Sequence, residues 1–317
     1  MIIVFGSNVL DIFFHQPDLP PRDTALFLDT HQEAPGGKGA NQAVAAAKAG
    51  SQVRFFGALG DGGHGRQMYK NLAKCGVDVS GIQTLDMPSG LATIFVDETD
   101  GTHRIVVSQG ANLHAKESTV PNKYLNADSI LLLQGELPIT ETEKLIIRAK
   151  NNGAKTVLNF APATAKLSET LLNNLDYIIL NEHEAALLAQ QLGMTAEDKL
   201  AFSRALKEQY DLTCIITLGP EGSIVCTQEG ALKIPSLKIK PIDTVGAGDA
   251  HAGYFCAALD QGEDFETALK WASVAGSLAC TSVGAQSALP DKADVMNHIV
   301  SIQITQIYDD ALKAASN

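Results

Sequence analysis

The chain reads as an α/β protein with a mostly parallel central sheet, helices on both faces, and a small separate β-sheet lid. Three observations predict this. From residue 129 onward, short apolar runs alternate with helical stretches of about 10–15 residues, the pattern of parallel strands joined by crossover helices. Before that point lie a hairpin pattern and an isolated strand that do not fit the alternation, so they form an excursion over one edge. Finally, there is no internal repeat, linker or low-complexity tract, so residues 1–317 make one domain. The lid is expected from about 12–34 and 88–108.

Taken in order, Ile2-Ile3-Val4-Phe5 is a short buried strand ending at Gly6-Ser7-Asn8. Pro17, Pro20 and Pro21 interrupt, and 25–30 reads as an exposed strand. Ala34-Pro35-Gly36-Gly37-Lys38-Gly39 is a tight turn, followed by an Ala-rich helix over 41–49 that Gly50 stops. A strand over 53–56 and a helix over 66–75 come next. Runs at 91–97 and 103–107 flank Glu98-Thr99-Asp100-Gly101, a hairpin with a D-G turn. The regular part predicts strands over 129–133, 156–159, 177–180, 214–218 and 223–226, with helices over 140–151, 182–191 and 196–210. A strand-like run at 237–240 leads into Asp243-Thr244-Val245-Gly246-Ala247-Gly248-Asp249, and helices over 250–259 and 271–280 follow.

Composition narrows the function classes. With 24 basic against 36 acidic residues the net charge is −12, which argues against a general binder of nucleic acid or anionic membrane. Cys75, Cys214, Cys226, Cys256 and Cys280 are scattered, odd in number and free of C-x-x-C spacing, so they read as core residues in a reducing cytosol. Residues 1–14 are apolar but lack a basic flank and contain Asp11, so a first strand is expected there in place of a signal peptide. No apolar run reaches the ~18 residues of a membrane span. The expectation is a cytoplasmic protein.

The chemistry concentrates at 243–253. Small residues at Gly246, Ala247 and Gly248 let successive backbone N–H groups face one way, and the helix they open attracts an anion through its unpaired amides and dipole. Asp249 stands where that anion arrives, placed to take a proton from a hydroxyl while the amides hold charge on a phosphoryl group. The structural alternative is a Gly-rich turn with an acidic helix start. Gly36-Gly37-Lys38-Gly39-Ala40-Asn41 combines close backbone approach, a flexible cation and an amide, a mix that suits a polyhydroxylated ligand. Read alone, it is also a turn capped before an Ala helix. Asn181 and Glu184 share one face of an opening helix at a strand end, where they either hold Mg²⁺ through waters or cap the helix. Gln134-Gly135-Glu136 also sits at a strand end. Gly60-Asp61-Gly62-Gly63-His64-Gly65 matches G-x-G-x-x-G, but Asp61 and His64 put charge where a dinucleotide pyrophosphate needs bare backbone. Walker A, H-E-x-x-H and G-x-S-x-G patterns are absent.

Together G-G-K-G-A-N at 36–41, N-x-x-E at 181–184 and D-T-x-G-A-G-D at 243–249 resemble, in order and spacing, the ribokinase-like (PfkB) carbohydrate kinases. Asn159-Phe160-Ala161-Pro162-Ala163 and Thr217-Leu218-Gly219-Pro220-Glu221-Gly222 resemble further motifs of that family, and the likeness runs from about Ile2 to Pro290. The resemblance implies that Asp249 is the general base and that the amides of Gly246, Ala247 and Gly248 form the anion hole. It implies sugar contacts from Asp11, Gly37, Lys38, Asn41 and Glu136, together with Asp249. Nucleotide contacts would come from Asn181, Thr217, Gly219, Gly222, Gly248 and Ser273. Mg²⁺ would be organised by Asn181 and Glu184, and a monovalent cation such as K⁺ would sit by Asp243, Val245, Ala279, Ser282 and Gly284. Ala288, beside Ser287, stands where some relatives carry Ser as a last cation position, and Val9 where some carry Asn.

The implied function is an ATP-dependent kinase acting on a terminal hydroxyl of a small sugar, with D-ribose to ribose 5-phosphate first and a homodimer formed through the lid. A nucleoside or ketohexose acceptor is the alternative, because Phe13 and Phe14 after Asp11 offer an apolar wall. An NAD(P)-dependent oxidoreductase built on Gly60–Gly65 and a non-catalytic sugar-binding protein are the readings from other classes. A base at Asp249 argues against the last, since binding alone needs none.

Overall fold

The structure is a computed structural model that describes residues 1–16, 23–97, 99 and 102–307. In chain order the first half contains β1 (Ile2–Phe5), β2 (Val9–Gln16), β3 (Gln32–Gly36), α1 (Lys38–Lys48), β4 (Val53–Gly60), α2 (Gly63–Lys74), β5 (Asp78–Leu85), β6 (Gly90–Asp97) and β7 (His103–Ser108). The regular middle follows as β8 (Ile130–Gln134), α3 (Ile139–Asn151), β9 (Lys155–Asn159), α4 (Glu169–Leu172), β10 (Tyr177–Asn181), α5 (Glu182–Leu192), α6 (Lys199–Tyr210) and β11 (Thr213–Thr217). The last part holds β12 (Ser223–Thr227), β13 (Gly230–Ile234), α7 (Ala247–Asp260), α8 (Phe265–Ala279), α9 (Lys292–His298) and β14 (Thr305–Ile307).

The main sheet has ten strands in the order β14-β13-β12-β11-β10-β9-β8-β1-β4-β5. From β11 across to β5 every pair is parallel, and β12, β13 and β14 add antiparallel pairs at one edge. The central strands read as continuous apolar runs because both faces are covered. In β1, Ile2 and Val4 join the core under α1, α7 and α8, while Ile3 and Phe5 join the core under α3, α5 and α6. In β8 the same split puts Ile130 and Leu132 on one side and Leu131 and Leu133 on the other. The expected mostly parallel sheet with helices on both faces is the fold observed.

A second sheet of four strands, β3-β2-β6-β7, stands apart. It is mixed: β2 pairs in parallel with β6 and antiparallel with β3, and β6 pairs antiparallel with β7. The expected hairpin is present as β6 and β7, with residues 98, 100 and 101 of its turn outside the described set. The expected strand over 25–30 is not. Those residues form no ladder, and Phe27 is 92% exposed, because both edges of β2 are already taken by β3 and β6. The prolines at 17, 20 and 21 fall outside the described residues. The run at 237–240 is also not a strand; the Leu237 N–H donates to the Ser277 hydroxyl at 3.1 Å instead of to a neighbouring strand.

Candidate active site

The C-terminal ends of β1, β8, β9 and β10 open onto the start of α1 and the start of α7, the end of an α/β sheet where ligands bind. Helix α7 is buried continuously from Asp249 to Ala258, sandwiched against α1, α8 and the sheet. Its contact with α1 is close because residue 253 lacks a side chain: a Cβ at Gly253 would lie 2.5 Å from the Ala45 methyl and 2.8 Å from the Gln42 carbonyl. That crossing brings the polar start of α1 against the polar start of α7.

Asp249 sits at the junction, 4% exposed. Asn41 Nδ2 donates to Asp249 Oδ2 at 2.9 Å, and Gln42 Nε2 donates to Oδ1 at 2.9 Å. The residue before the helix, Gly246, has φ 81°, a left-handed conformation that a glycine adopts without penalty. It turns the chain into α7, where the Ala247 N–H donates to the Thr244 carbonyl at 3.3 Å. A methyl group added at Gly248 would meet nothing within 4 Å, so the space in front of this cradle is open. His251, one turn deeper, is buried and has no hydrogen-bond partner on either ring nitrogen. Burial pushes its pKa down to about 4, so it is a neutral core group at neutral pH.

Around the start of α1 the structure brings together most of the residues expected to contact sugar. The Lys38 N–H donates to Glu136 Oε2 at 2.9 Å, and the Ser7 hydroxyl donates to the same oxygen. Asp11, on β2 of the second sheet, has its carboxyl pushed up to about 7 by burial and then by the Glu136 carboxylate. The Lys38 ammonium is held above its ordinary range chiefly by Asp249, against burial, with Glu136 and Glu184 adding to the effect. Three carboxylates, Asp249, Glu136 and Glu184, thus favour the charged form of Lys38. Gly37 forms the left-handed entry to α1 at φ 88°.

Asn181 and Glu184 form a reciprocal capping box: the Glu184 N–H donates to Asn181 Oδ1 at 2.8 Å, and the Asn181 N–H donates to Glu184 Oε2 at 2.8 Å. The capping alternative is thus realised in this structure. Glu184 is buried, and burial raises its pKa, with the Asn181 N–H, Lys38 and His183 opposing and Asp249 reinforcing. A buried carboxylate with an oxygen left over from the cap fits a cation held through water. Among the described residues no group of three or more His, Cys, Asp or Glu is placed to hold a metal ion.

The other predicted residues divide. Asp243 ties the loop before α7 to the loop after α8, accepting from the Val245 N–H at 3.0 Å and the Gly284 N–H at 2.9 Å. This places Val245 and Gly284 beside one carboxylate, with Ala279 and Ser282 just before Gly284 in the chain. The Ser287 hydroxyl donates to the Val283 carbonyl at 2.9 Å, and Ala288 is buried. The Thr217 hydroxyl donates to the Leu180 carbonyl at 3.3 Å, and Gly219 and Gly222 bracket the turn between β11 and β12. Ser273 is buried on α8, and its hydroxyl is engaged by the Pro235 carbonyl at 2.6 Å.

The G-x-G-x-x-G segment is a packing device. A Cβ at Gly65 would lie 1.8 Å from the Gly60 carbonyl oxygen, and one at Gly60 would lie 2.0 Å from the Met87 carbonyl oxygen. Two of its glycines, the first and the last, therefore allow chain-to-chain contact, whereas a Cβ at Gly62 or Gly63 would meet nothing within 4 Å. Phe13 packs on Val9, Ala92 and Ile94, and Phe14 stacks on Phe95 with ring centroids 5.8 Å apart. Both aromatic rings are engaged by their own sheet.

Sequence reasoning missed Ser7, Gln42, Asn159 and Gln286 as members of the site. Gln42 was legible only as a polar residue inside an Ala-rich helix, and its immediate neighbour Asn41 points to a different position on that helix. Asn159 was quoted in a motif without a role, and nothing in the spacing joins Gln286 to Asn41.

Comparison with known proteins gives the family. Residues 1–292 match the pfkB family carbohydrate kinase model. The chain is similar to the ribokinase of Haemophilus influenzae, 34% identical over 304 residues, covering 94% of this chain and 98% of that protein. Among solved structures it is similar to Thermotoga maritima ribokinase, with a TM-score of 0.87 and 29% identity over 95% of this chain and 99% of that one. It is also similar to Arabidopsis thaliana ribokinase complexed with ribose and ATP, with a TM-score of 0.85 and 28% identity over 94% and 98% of the two chains. With a family match across residues 1–292 and a curated relative aligned along nearly its full length, the chain belongs to the pfkB family of carbohydrate kinases.

Proposed function

We propose that this chain transfers the γ-phosphoryl group of ATP to the terminal hydroxyl of D-ribose, giving D-ribose 5-phosphate and ADP. The observation that carries the reading is the placement of Asp249. It stands in the first turn of α7 behind an open amide cradle, and the Asn41 amide of the sugar side reaches it directly. The similarity to ribokinases from a bacterium and a plant gives ribose precedence over other acceptors. Phe13 and Phe14 are partly buried against their own sheet, and a nucleoside stays the alternative acceptor.

In this reading Asp249 takes the hydroxyl proton as the sugar oxygen attacks the γ-phosphorus. The amides of Gly246, Ala247 and Gly248 hold the charge that accumulates on the phosphoryl oxygens. Asp11, Gly37, Lys38, Asn41 and Glu136 bind and orient the sugar, so that the entropy of bringing the reactants together is spent on binding. Thr217, Gly219, Gly222 and Asn181 contact the nucleotide, while the bonded hydroxyl of Ser273 makes it a support of that wall. Asn181 and Glu184 would hold Mg²⁺ through water, and the ion when bound neutralises phosphate charge. Asp243, with carbonyls of Val245, Ala279, Ser282 and Gly284, would take a monovalent cation such as K⁺ behind the anion hole.

The four-stranded sheet acts as a lid over the sugar and excludes water that would otherwise accept the phosphate. Its strand β7 exposes Ile105, Val106 and Val107 in succession, and we assign this apolar run to a homodimer contact through the lid. A coupled ATP-consumption assay with ribose, fructose, adenosine and cytidine tests the function. The expected result is turnover with ribose and at most weak turnover with the rest. Preference for a nucleoside or ketohexose moves the acceptor within the family, and no ATP consumption with any of them overturns the reading.

A further inference from the structure

Asp249 is the end point of a buried chain of side-chain amides. Gln42 Nε2 donates to Asp249 Oδ1 at 2.9 Å and to Asn159 Oδ1 at 3.0 Å, and its carbonyl accepts from Gln134 Nε2 at 2.8 Å. On the other carboxylate oxygen, Asn41 Nδ2 donates at 2.9 Å, while the Asn41 carbonyl accepts from Gln286 Nε2 at 3.0 Å. The Gln286 carbonyl in turn accepts from Asn71 Nδ2 at 2.7 Å. Residues from α1, α2, the ends of β8 and β9 and the loop before α9 thus contribute to one network with one polarity.

The polarity is dictated by the carboxylate. An ionised Asp249 only accepts, so Gln42 and Asn41 must turn their NH₂ groups toward it, and every amide behind them is fixed in sequence. Reversing one amide would set NH₂ against NH₂ in a buried network. A carboxylate offers about four lone-pair positions, and the two amides occupy one on each oxygen. What remains on each oxygen is the side turned away from the amides.

The structure assigns Gln42 as a positioning residue that fixes the rotation of the Asp249 carboxylate, so that an unoccupied lone pair meets the sugar hydroxyl. Gln42 has 0% exposure, and its amide bonds Asp249, Asn159 and Gln134, so its effect on the reacting hydroxyl passes through the carboxylate it holds. The assignment rests on Asp249 being the base. As the sugar oxygen bonds to the γ-phosphorus, the bond from that phosphorus to the bridging oxygen breaks, and ADP leaves with the electron pair. The hydroxyl proton goes to the free lone pair of Asp249 and passes to solvent on product release. The amide donors keep their own lone pairs throughout.

The test is steady-state kinetics with ribose and ATP for Gln42→Met and Gln42→Asn, each also placed in an Asp249→Ala background, with ribose binding measured separately. Met keeps the shape and removes the amide, whereas Asn keeps an amide too short to reach, so whichever variant folds reads the same property. The expected result is a fall in kcat of roughly 10–100-fold, the scale of a small misplacement of a reacting group, with ribose Kd within about threefold of wild type. In the Asp249→Ala background the same substitution brings no further fall. Unchanged kcat in a folded Gln42 variant, or an equal fall in both backgrounds, overturns the assignment while leaving Asp249 as the base. Wild-type turnover in Asp249→Ala removes the base itself and this assignment with it.

Discussion

The carboxyl of Asp11 makes the affinity for sugar depend on pH across neutrality. Its pKa is pushed up to about 7 by burial and by the Glu136 carboxylate, and a Cβ at Gly36 would lie 2.1 Å from Asp11 Oδ2, so the group is seated directly on the turn before α1. A folded-state value above the unfolded 3.8 means that the sugar-free protein holds an extra proton. The stability this contributes is fully present below pH 3.8 and is lost as pH rises through about 7. Sugar hydroxyls donate to the ionised form, so binding must first remove that proton. At pH 6 only about a tenth of the sites are ionised, and the apparent Kd is about tenfold weaker than at the high-pH plateau; at pH 5 it is ~100-fold weaker. Calorimetric titration with ribose in the absence of ATP, from pH 5.5 to 8.5 in two buffers of different ionisation enthalpy, reads both affinity and protons released. The expectation is a slope of about one log unit per pH unit below 7, with close to one proton released, and a flat, weaker profile for Asp11→Asn. A wild-type Kd that does not change between pH 6 and 8, or binding without proton release, refutes the reasoning.

Three further outcomes are expected. Lys38→Ala should raise the KM for ribose, because it removes a cation on which Asp249, Glu136 and Glu184 all act, and an unchanged KM contradicts its place in the proposed sugar site. Glu184→Gln keeps the acceptor for the Asn181 N–H but loses the charge, so the Mg²⁺ concentration for half-maximal turnover should rise ~10-fold with ribose KM preserved; an unaltered Mg²⁺ titration removes Glu184 from that role. Val106→Asp places a charge in the exposed run of β7 and should convert a dimer to a monomer in sedimentation velocity, whereas a wild-type dimer that survives the change locates its interface elsewhere.

The fold was legible where burial left a one-sided signal. β1, β8, β9, β10 and β11 are continuous apolar runs because helices cover both faces, and each was read within a residue or two of its bounds. β2 was not, because Val9-Leu10-Asp11-Ile12-Phe13-Phe14 shows no alternation, and the Gly6-Ser7-Asn8 turn before it looked like the end of a single strand. β5 was hidden by Asp78, Ser80 and Gly81, and its pairing with β4 shifts register between Arg54 and Phe56. The 25–30 segment shows the opposite failure: its residues read as a strand, yet they pair with neither side of β2, which β3 and β6 already flank.

At the site, the legible residues were those whose chemistry depends on a local turn. Gly246–Asp249 and Asn181–Glu184 are each defined within a few residues of chain, and the structure places them at helix starts as read. The amide network was invisible because it is assembled between segments far apart in sequence. Asn41 and Gln286 are bonded across 245 positions, and only the folded chain shows that one orients the other. Gly253 permits the close crossing that brings Asn41 and Gln42 to Asp249, and its part in that contact with α1 shows only in the folded chain.

The measurement closest to the central claim is turnover by Asp249→Ala, with ribose affinity determined separately on the same preparation. The account predicts ribose binding within a few-fold of wild type and kcat lower by ~10²–10⁴, the range of a lost acid–base group. Turnover at the wild-type rate in that variant would contradict it.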